Sequence, residues 1–204
     1  LAMIVTLDLA RANFAAYHTG PVETATFIPP LADALKTREG SLGPGRFRLV
    51  SINEEKVMLP GRIQFRLGYE GAWSVARRQA LDLAHNAQWH IESPYAYLPG
   101  YSATLTRMLK QKSGLEAAAR YNVAYYVGSR LRLQDPIFAN AMVADLPDFD
   151  LALFRNPAPV KPRVYLSPKP ERVAVPVDPA VLLTRPDFLN GAVDVIETAD
   201  ATLP

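Results

Sequence analysis

The groups best suited to moving a proton or holding a metal are His85, His90 and Glu92, with His18 far upstream. His85 and His90 stand five apart across an expected helix end, a poor spacing for two ligands on one helical face. With Glu92 they make a weak metal or acid–base cluster, and surface or loop positions are the commoner fate of such residues. Asp145, Asp148 and Asp150 crowd the window A-D-L-P-D-F-D. A calcium loop needs more oxygen ligands and a glycine for its turn, whereas Pro147 and apolar side chains interrupt here, so a solvated turn is expected. The aromatic segment W-H-I-E-S-P-Y-A-Y-L-P-G-Y carries Trp89, Tyr95, Tyr97 and Tyr101. Such rings stack on sugars or sit at a membrane interface. Pro94 and Pro99 keep the backbone out of a regular element, and His90 and Glu92 are at hand as hydrogen-bonding neighbours. These six residues are the candidate glycan- or partner-binding surface, against the alternative that the rings simply pack under a loop.

A fourth group is structural in character. F-R-N-P-A-P-V-K-P-R-V-Y-L holds three prolines between two strand-like runs, Leu151–Phe154 and Val164–Leu166. Proline fixes φ and leaves little entropy to lose on folding. Asn156 can bond its own following backbone, and Arg163 can grip carbonyls or a carboxylate in a fixed fork. Asn156, Pro157, Pro162 and Arg163 therefore read as a stiff elbow, with loss of Arg163 expected to cost roughly 1.5–3 kcal/mol if its partner is partly buried.

Composition narrows the classes. A chain of 204 residues with 49% hydrophobic and 21% charged residues can bury a core. Its net charge of +2 and lack of a basic run argue against a nucleic-acid partner. Without cysteine there are no disulfides and no thiolate metal sites. Phosphate-loop, dinucleotide, H-E-x-x-H and nucleophile-elbow patterns are absent, so no catalytic residue, metal or cofactor is indicated. Leu1 to Leu9 is apolar but far short of the roughly 20 residues that span a bilayer. It is either a buried first element or the outer end of a membrane helix whose remainder lies upstream.

These groups need elements to hold them. Leu31, Ala34 and Leu35 share a face of a short helix that starts after Pro29-Pro30 and ends at Gly40. A strand is expected from Arg46, and the alternation I-Q-F-R-L predicts another over 63–67. From Gly71 a helix buries Trp73, Ala76, Ala80 and Leu83, leaving Arg77, Arg78 and Asp82 outside. Ser102 caps a further helix facing Leu105, Met108 and Leu109 inward. L-E-A-A-A-R is a short helix leading into the strand Y-N-V-A-Y-Y-V-G-S. A loop is expected from Leu133 to Asp148, an extended proline-rich stretch from Pro157 to Pro186, and a last strand at A-V-D-V-I-E. Alternating helices and strands predict an α/β (α+β) fold with helices packed on a mixed sheet, in one domain over 1–204.

Several segments, in order, resemble the extracytoplasmic domain of YfhO-type bacterial membrane proteins. L-D-L-A-R-A-N at Leu7–Asn13 resembles the D-L-x-x-A-N that follows a transmembrane helix there. R-F-R-L-V-S resembles the domain's first F-R-V strand. L-P-G-Y is similar to x-x-G-Y-[DS]-P-L, without the proline after Gly-Tyr. A-A-R-Y-N-V-A-Y-Y-V-G-S is similar in style to L-L-G-V-R-Y-V-L, with Tyr121 and Asn122 replacing Leu-Gly. The elbow resembles Y-x-N-P-x-A-L-P-R-A-x-L, matching at Asn156, Pro157, Pro162 and Arg163. The resemblance implies an accessory domain on the outer side of the cell membrane, in a multi-pass protein resembling GT-C glycosyltransferases that use lipid-linked sugars. The implied partners are the transmembrane portion of the same polypeptide and a lipid-linked sugar or glycan. The family's presumed catalytic carboxylate lies in a loop not contained in this sequence, so no residue here inherits that role. The residues alone leave two other readings open: a stand-alone structural or interaction domain, and a soluble enzyme built on His85, His90 and Glu92.

Overall fold

A computed structural model describes residues 21–51, 57–82, 85–94, 114–174 and 178–198. Leu1–Leu9, the helix expected from Ser102, and Tyr95, Tyr97 and Tyr101 lie outside the described residues.

The centre is a four-stranded sheet in the order β1-β2-β4-β3. It comprises β1 (Arg48–Ser51), β2 (Val123–Ser129), β3 (Met142–Leu146) and β4 (Leu151–Arg155). β1 pairs in parallel with β2, while β2–β4 and β3–β4 are antiparallel. The runs V-A-Y-Y-V-G and L-A-L-F are almost continuously apolar because both faces of these central strands are covered. On one face, Tyr125, Val127, Leu151 and Leu153 join Leu31 and Leu35 of α2 (Pro30–Glu39) and Val75 and Ala76 of α3 (Gly61–Gln79). On the other, Val123, Tyr126, Ala152 and Phe154 pack with Ala118 of α4 (Gly114–Arg120) and Phe138 of α5 (Pro136–Ala139). This is the mixed sheet with packed helices that the sequence predicts. A one-turn helix, α1 (Glu23–Thr26), precedes α2.

The helix from Pro30 ends as expected, with Gly40 at φ 75°. The strand expected over 63–67 is instead the first part of α3. Ile63 and Leu67 are four apart, so the same alternation also places both on one helical side, where they pack on the core. Phe65 is left 93% exposed. Gly68 breaks α3 into two parts at φ 70°, ψ 176°, a conformation essentially reserved for glycine. Arg78 and Asp82, expected outside the helix stripe, are both buried. The loop expected between Leu133 and Asp148 contains α5 and the edge strand β3, whose half-exposed pattern hides it from a search for apolar runs.

Past β4, Val164 and Leu166 form no strand and are strongly exposed. The C-terminal part instead forms a parallel pair, β5 (Pro170–Ala174) and β6 (Asp194–Thr198). Two short helices connect them, α6 (Pro179–Leu182) and α7 (Pro186–Leu189), each opening on a proline that suits a first turn. Phe188 and Leu183 pack with Ala117, joining this unit to α4. Among the described residues no helix is long and apolar enough to cross a membrane.

Candidate functional site

Glu92 and Arg163 are 71 residues apart in sequence, and the fold brings them together. Residues Asn86–Trp89 form a single 3-10 turn, and His90 leaves it at φ 57°, sending the chain back beside β1. There Leu49 N–H donates to the Glu92 carbonyl at 2.8 Å, and Arg48 and Glu92 form an isolated parallel bridge. The Glu92 carboxylate accepts from Arg163 and from Gly45 N–H at 3.1 Å, with Arg48 Nε 3.7 Å away. Burial alone would raise the Glu92 pKa. The bonds from Arg163 and Gly45, with the charges of Arg163 and Arg48, outweigh it and hold the carboxyl below its ordinary value. The expectation that Arg163 grips a carboxylate is met, but its side chain is 42% exposed, so the pair is screened by solvent.

The elbow itself is anchored by Asn156, which is 3% exposed. Its Nδ2 donates to the carbonyls of Leu115 at 3.0 Å and Val123 at 2.9 Å. Its Oδ1 accepts from Ala158 N–H at 3.0 Å, the local turn that asparagine was expected to make. Asn156 N–H also donates to the Ala124 carbonyl at 2.7 Å, and Lys161 N–H to that of Ala119 at 3.0 Å. Asn122, at φ 62°, completes the brace by donating through Nδ2 to the Lys161 carbonyl at 2.9 Å. Its own carbonyl receives Arg48 N–H at 2.8 Å. Pro157 and Pro162 stay on the surface, stiffening the segment between these anchors.

Of the aromatic candidates within the described residues, Trp89 is half-buried and packs against the main core. The Arg78 guanidinium lies 5.8 Å from its ring and 5.5 Å from that of Phe27. Trp89 is therefore packing, not a freely presented face, and Glu92 is committed to its arginines. His90 is exposed. His85 belongs to a different setting, beside Arg77, Asp82 and Arg78. Burial first, and the Arg77 charge next, hold its pKa below the ordinary histidine value against the opposing pull of Asp82. Among the described residues no group of His, Asp or Glu is assembled to hold a metal ion. Asp145 pairs with Arg130 at 3.2 Å, Asp148 pairs with Arg62, and Asp150 accepts from Ser129 Oγ at 2.6 Å. These three carboxylates face separate partners, with Asp145 on β3 and Asp148 and Asp150 in and just after the 3-10 turn that follows it.

The sequence reading missed a second charged centre. Arg120 bonds Asp194 and the Phe188 carbonyl, and its guanidinium stacks 4.0 Å from the Phe188 ring. Tyr165 Oη donates to Asp194 at 2.7 Å. An arginine ending an alanine-rich helix gave no hint of a partner 74 residues away.

Concave regions among the described residues include an apolar and a polar one. An apolar groove of about 430 Å³ runs between Pro21–Phe27 and Ile63–Leu67. A polar cleft of about 540 Å³ lies between the end of α2, the start of β3 and the elbow. No protein family, no curated protein and no solved structure matches the chain.

Proposed function

We propose that this chain is the extracytoplasmic accessory domain of a multi-pass membrane protein of YfhO type, recognising the acceptor or a partner in cell-envelope glycan assembly. The observation that carries this reading is the backbone of Asn122. Where the family's strand motif has glycine, this chain has asparagine, and the residue sits at φ 62°. Asparagine is among the few non-glycine residues that readily enter this region, so the departure keeps the backbone demand a glycine would meet. Two further points support the reading. The three described segments bearing the resemblance are neighbours in space: R-F-R-L-V-S supplies β1, A-A-R-Y-N-V-A-Y-Y-V-G-S supplies the end of α4 and β2, and the Asn-Pro elbow leaves β4 and is bonded to α4 and β2. Recognition rather than chemistry suits a domain whose candidate acid, Glu92, is tied to two arginines while Phe65 and Tyr69 stand exposed on α3.

The test is a reporter fusion at residue 20 of the full-length protein. An outward-facing signal is expected. A cytoplasmic signal, or a complete reading frame without upstream membrane helices, would overturn the assignment.

A further inference from the structure

The polar cleft beside the elbow has an uneven distribution of donors and acceptors. Its charged lining is Arg38, from the last turn of α2, and Arg155, the last residue of β4. Asn140 adds an amide from the turn before β3. No carboxylate is among the lining residues. Arg48, Arg77, Arg120, Arg163 and Arg185 each meet a carboxylate within 4 Å, whereas among the described residues Arg38 and Arg155 form no ion pair. Glu39, next to Arg38 in sequence, accepts the Tyr125 hydroxyl with its carboxylate. Tyr125 is the register partner of Arg155, so the two side chains rise on one face of the sheet. Arg38 also acts on Tyr125, through its charge and through a side-chain hydrogen bond. Both arginines therefore border the same tyrosine from different elements.

The opposite wall is the elbow, Asn156 to Val160. Proline has no N–H, and the Ala158 N–H is already taken by Asn156. This wall therefore offers mainly carbonyl oxygens, which accept hydroxyl protons. Its anchors hold it in place without a ligand, so little ordering remains to be done on binding. A volume of about 540 Å³ lies within the range of small-molecule sites.

We infer that this cleft binds a small polyol carrying an oxyanion, such as a sugar phosphate or an acidic sugar. Arg38 and Arg155 hold the anion through their planar forks, and the elbow carbonyls receive the hydroxyls. The inference stands on the cleft lining and is independent of the family reading.

The test is a titration of the isotopically labelled 204-residue chain, followed by amide NMR. The probes are glucose 1-phosphate, glucuronate, inorganic phosphate and glucose. Saturable shifts confined to the amides of Asn140–Val143, Arg155 and Ala158 are expected, with a Kd on the order of millimolar for glucose 1-phosphate, glucuronate or both. The phosphate and uronate arms identify the anion. Glucose or inorganic phosphate should bind more weakly, each having half of the recognised chemistry. R155Q and R38Q should each weaken binding by about tenfold or more while leaving the melting temperature unchanged. Absence of saturable shifts with both anionic sugars would overturn the inference. So would equal affinity for glucose, or binding that survives the R38Q/R155Q double variant.

Discussion

Replacing Asn156 should damage the fold in a way that separates its two hydrogen-bonding roles. N156A removes donations to the carbonyls of Leu115 and Val123, a longer one of 3.4 Å to the Tyr126 hydroxyl, and one acceptance, from Ala158. The Val123 carbonyl lies in the interior and would be left unsatisfied, at about 1.5–2 kcal/mol. The bonds with Leu115 and Ala158 are only partly buried, so water can replace much of what is lost, and each contributes about 0.5–1 kcal/mol, while the long contact with the Tyr126 hydroxyl adds little. The expected total is roughly 3 kcal/mol, or about 6–12 °C in Tm for a chain of this size. N156D keeps the shape and the bond from Ala158 but turns an oxygen toward two carbonyl oxygens. The new carboxyl would then prefer to be protonated in the folded state. Its folded pKa would be raised, so the folded chain binds more protons, and stability falls as pH rises from the ordinary aspartate value near 4 through the raised value. The deficit of N156D against the wild type should therefore shrink between about pH 7 and pH 4. Urea melts by circular dichroism across that range measure both effects. A Tm loss under about 2 °C for N156A, or a deficit of N156D that grows on acidification, would refute this account of the elbow.

R163A should cost about 0.5–1 kcal/mol, less than a buried pair would, because the arginine side chain is 42% exposed. The same variant should raise the Glu92 pKa toward its ordinary value, read by carboxyl NMR. In the wild type the lowered Glu92 pKa adds stability above the ordinary glutamate value near 4.3, and that contribution fades as pH falls through the lowered pKa. An unchanged Glu92 titration in R163A would show that Arg163 is not what depresses it. G68A should destabilise by about 1–3 kcal/mol in thermal melts. A methyl group there meets nothing within 4 Å, so the loss is conformational rather than steric. A neutral effect would mean that the break in α3 straightens without penalty.

Legibility in the sequence followed the range of the forces involved. Pro30, Gly40 and the apolar runs of β2 and β4 act over a few residues, and their elements came out as read. The stretch Ile63–Leu67 did not, because five alternating residues fit a strand and one helical side equally well. Asn156 was legible as a turn former, but its grip on Leu115 and Val123 depends on β2 lying beside β4. The Glu92–Arg163 pair was found as two separate features, since nothing local tells an arginine which carboxylate it will meet. Arg78 and Asp82 were misplaced for a related reason. Phe27, Trp89 and Arg77, supplied from three segments, make burial of those charges tolerable.

The joining of α2 to the central strands has a consequence for synthesis. Leu31 and Leu35 find their core partners Leu151 and Leu153 only after about 120 more residues have been made. At roughly 5–20 residues per second, a ribosome needs about 6–25 s to cover that distance. Until β2 is made the apolar side of α2, and that of α3 once it has emerged, have no paired strands to cover them, and the cover is complete only with β4. By contrast, the stretch from Gly114 to Asn156 contains α4, β2, β3 and β4 and can pair almost entirely with itself. The nascent chain is therefore most exposed to aggregation and to chaperone capture just before this stretch emerges, and a pause in translation upstream of Gly114 would prolong that vulnerable state.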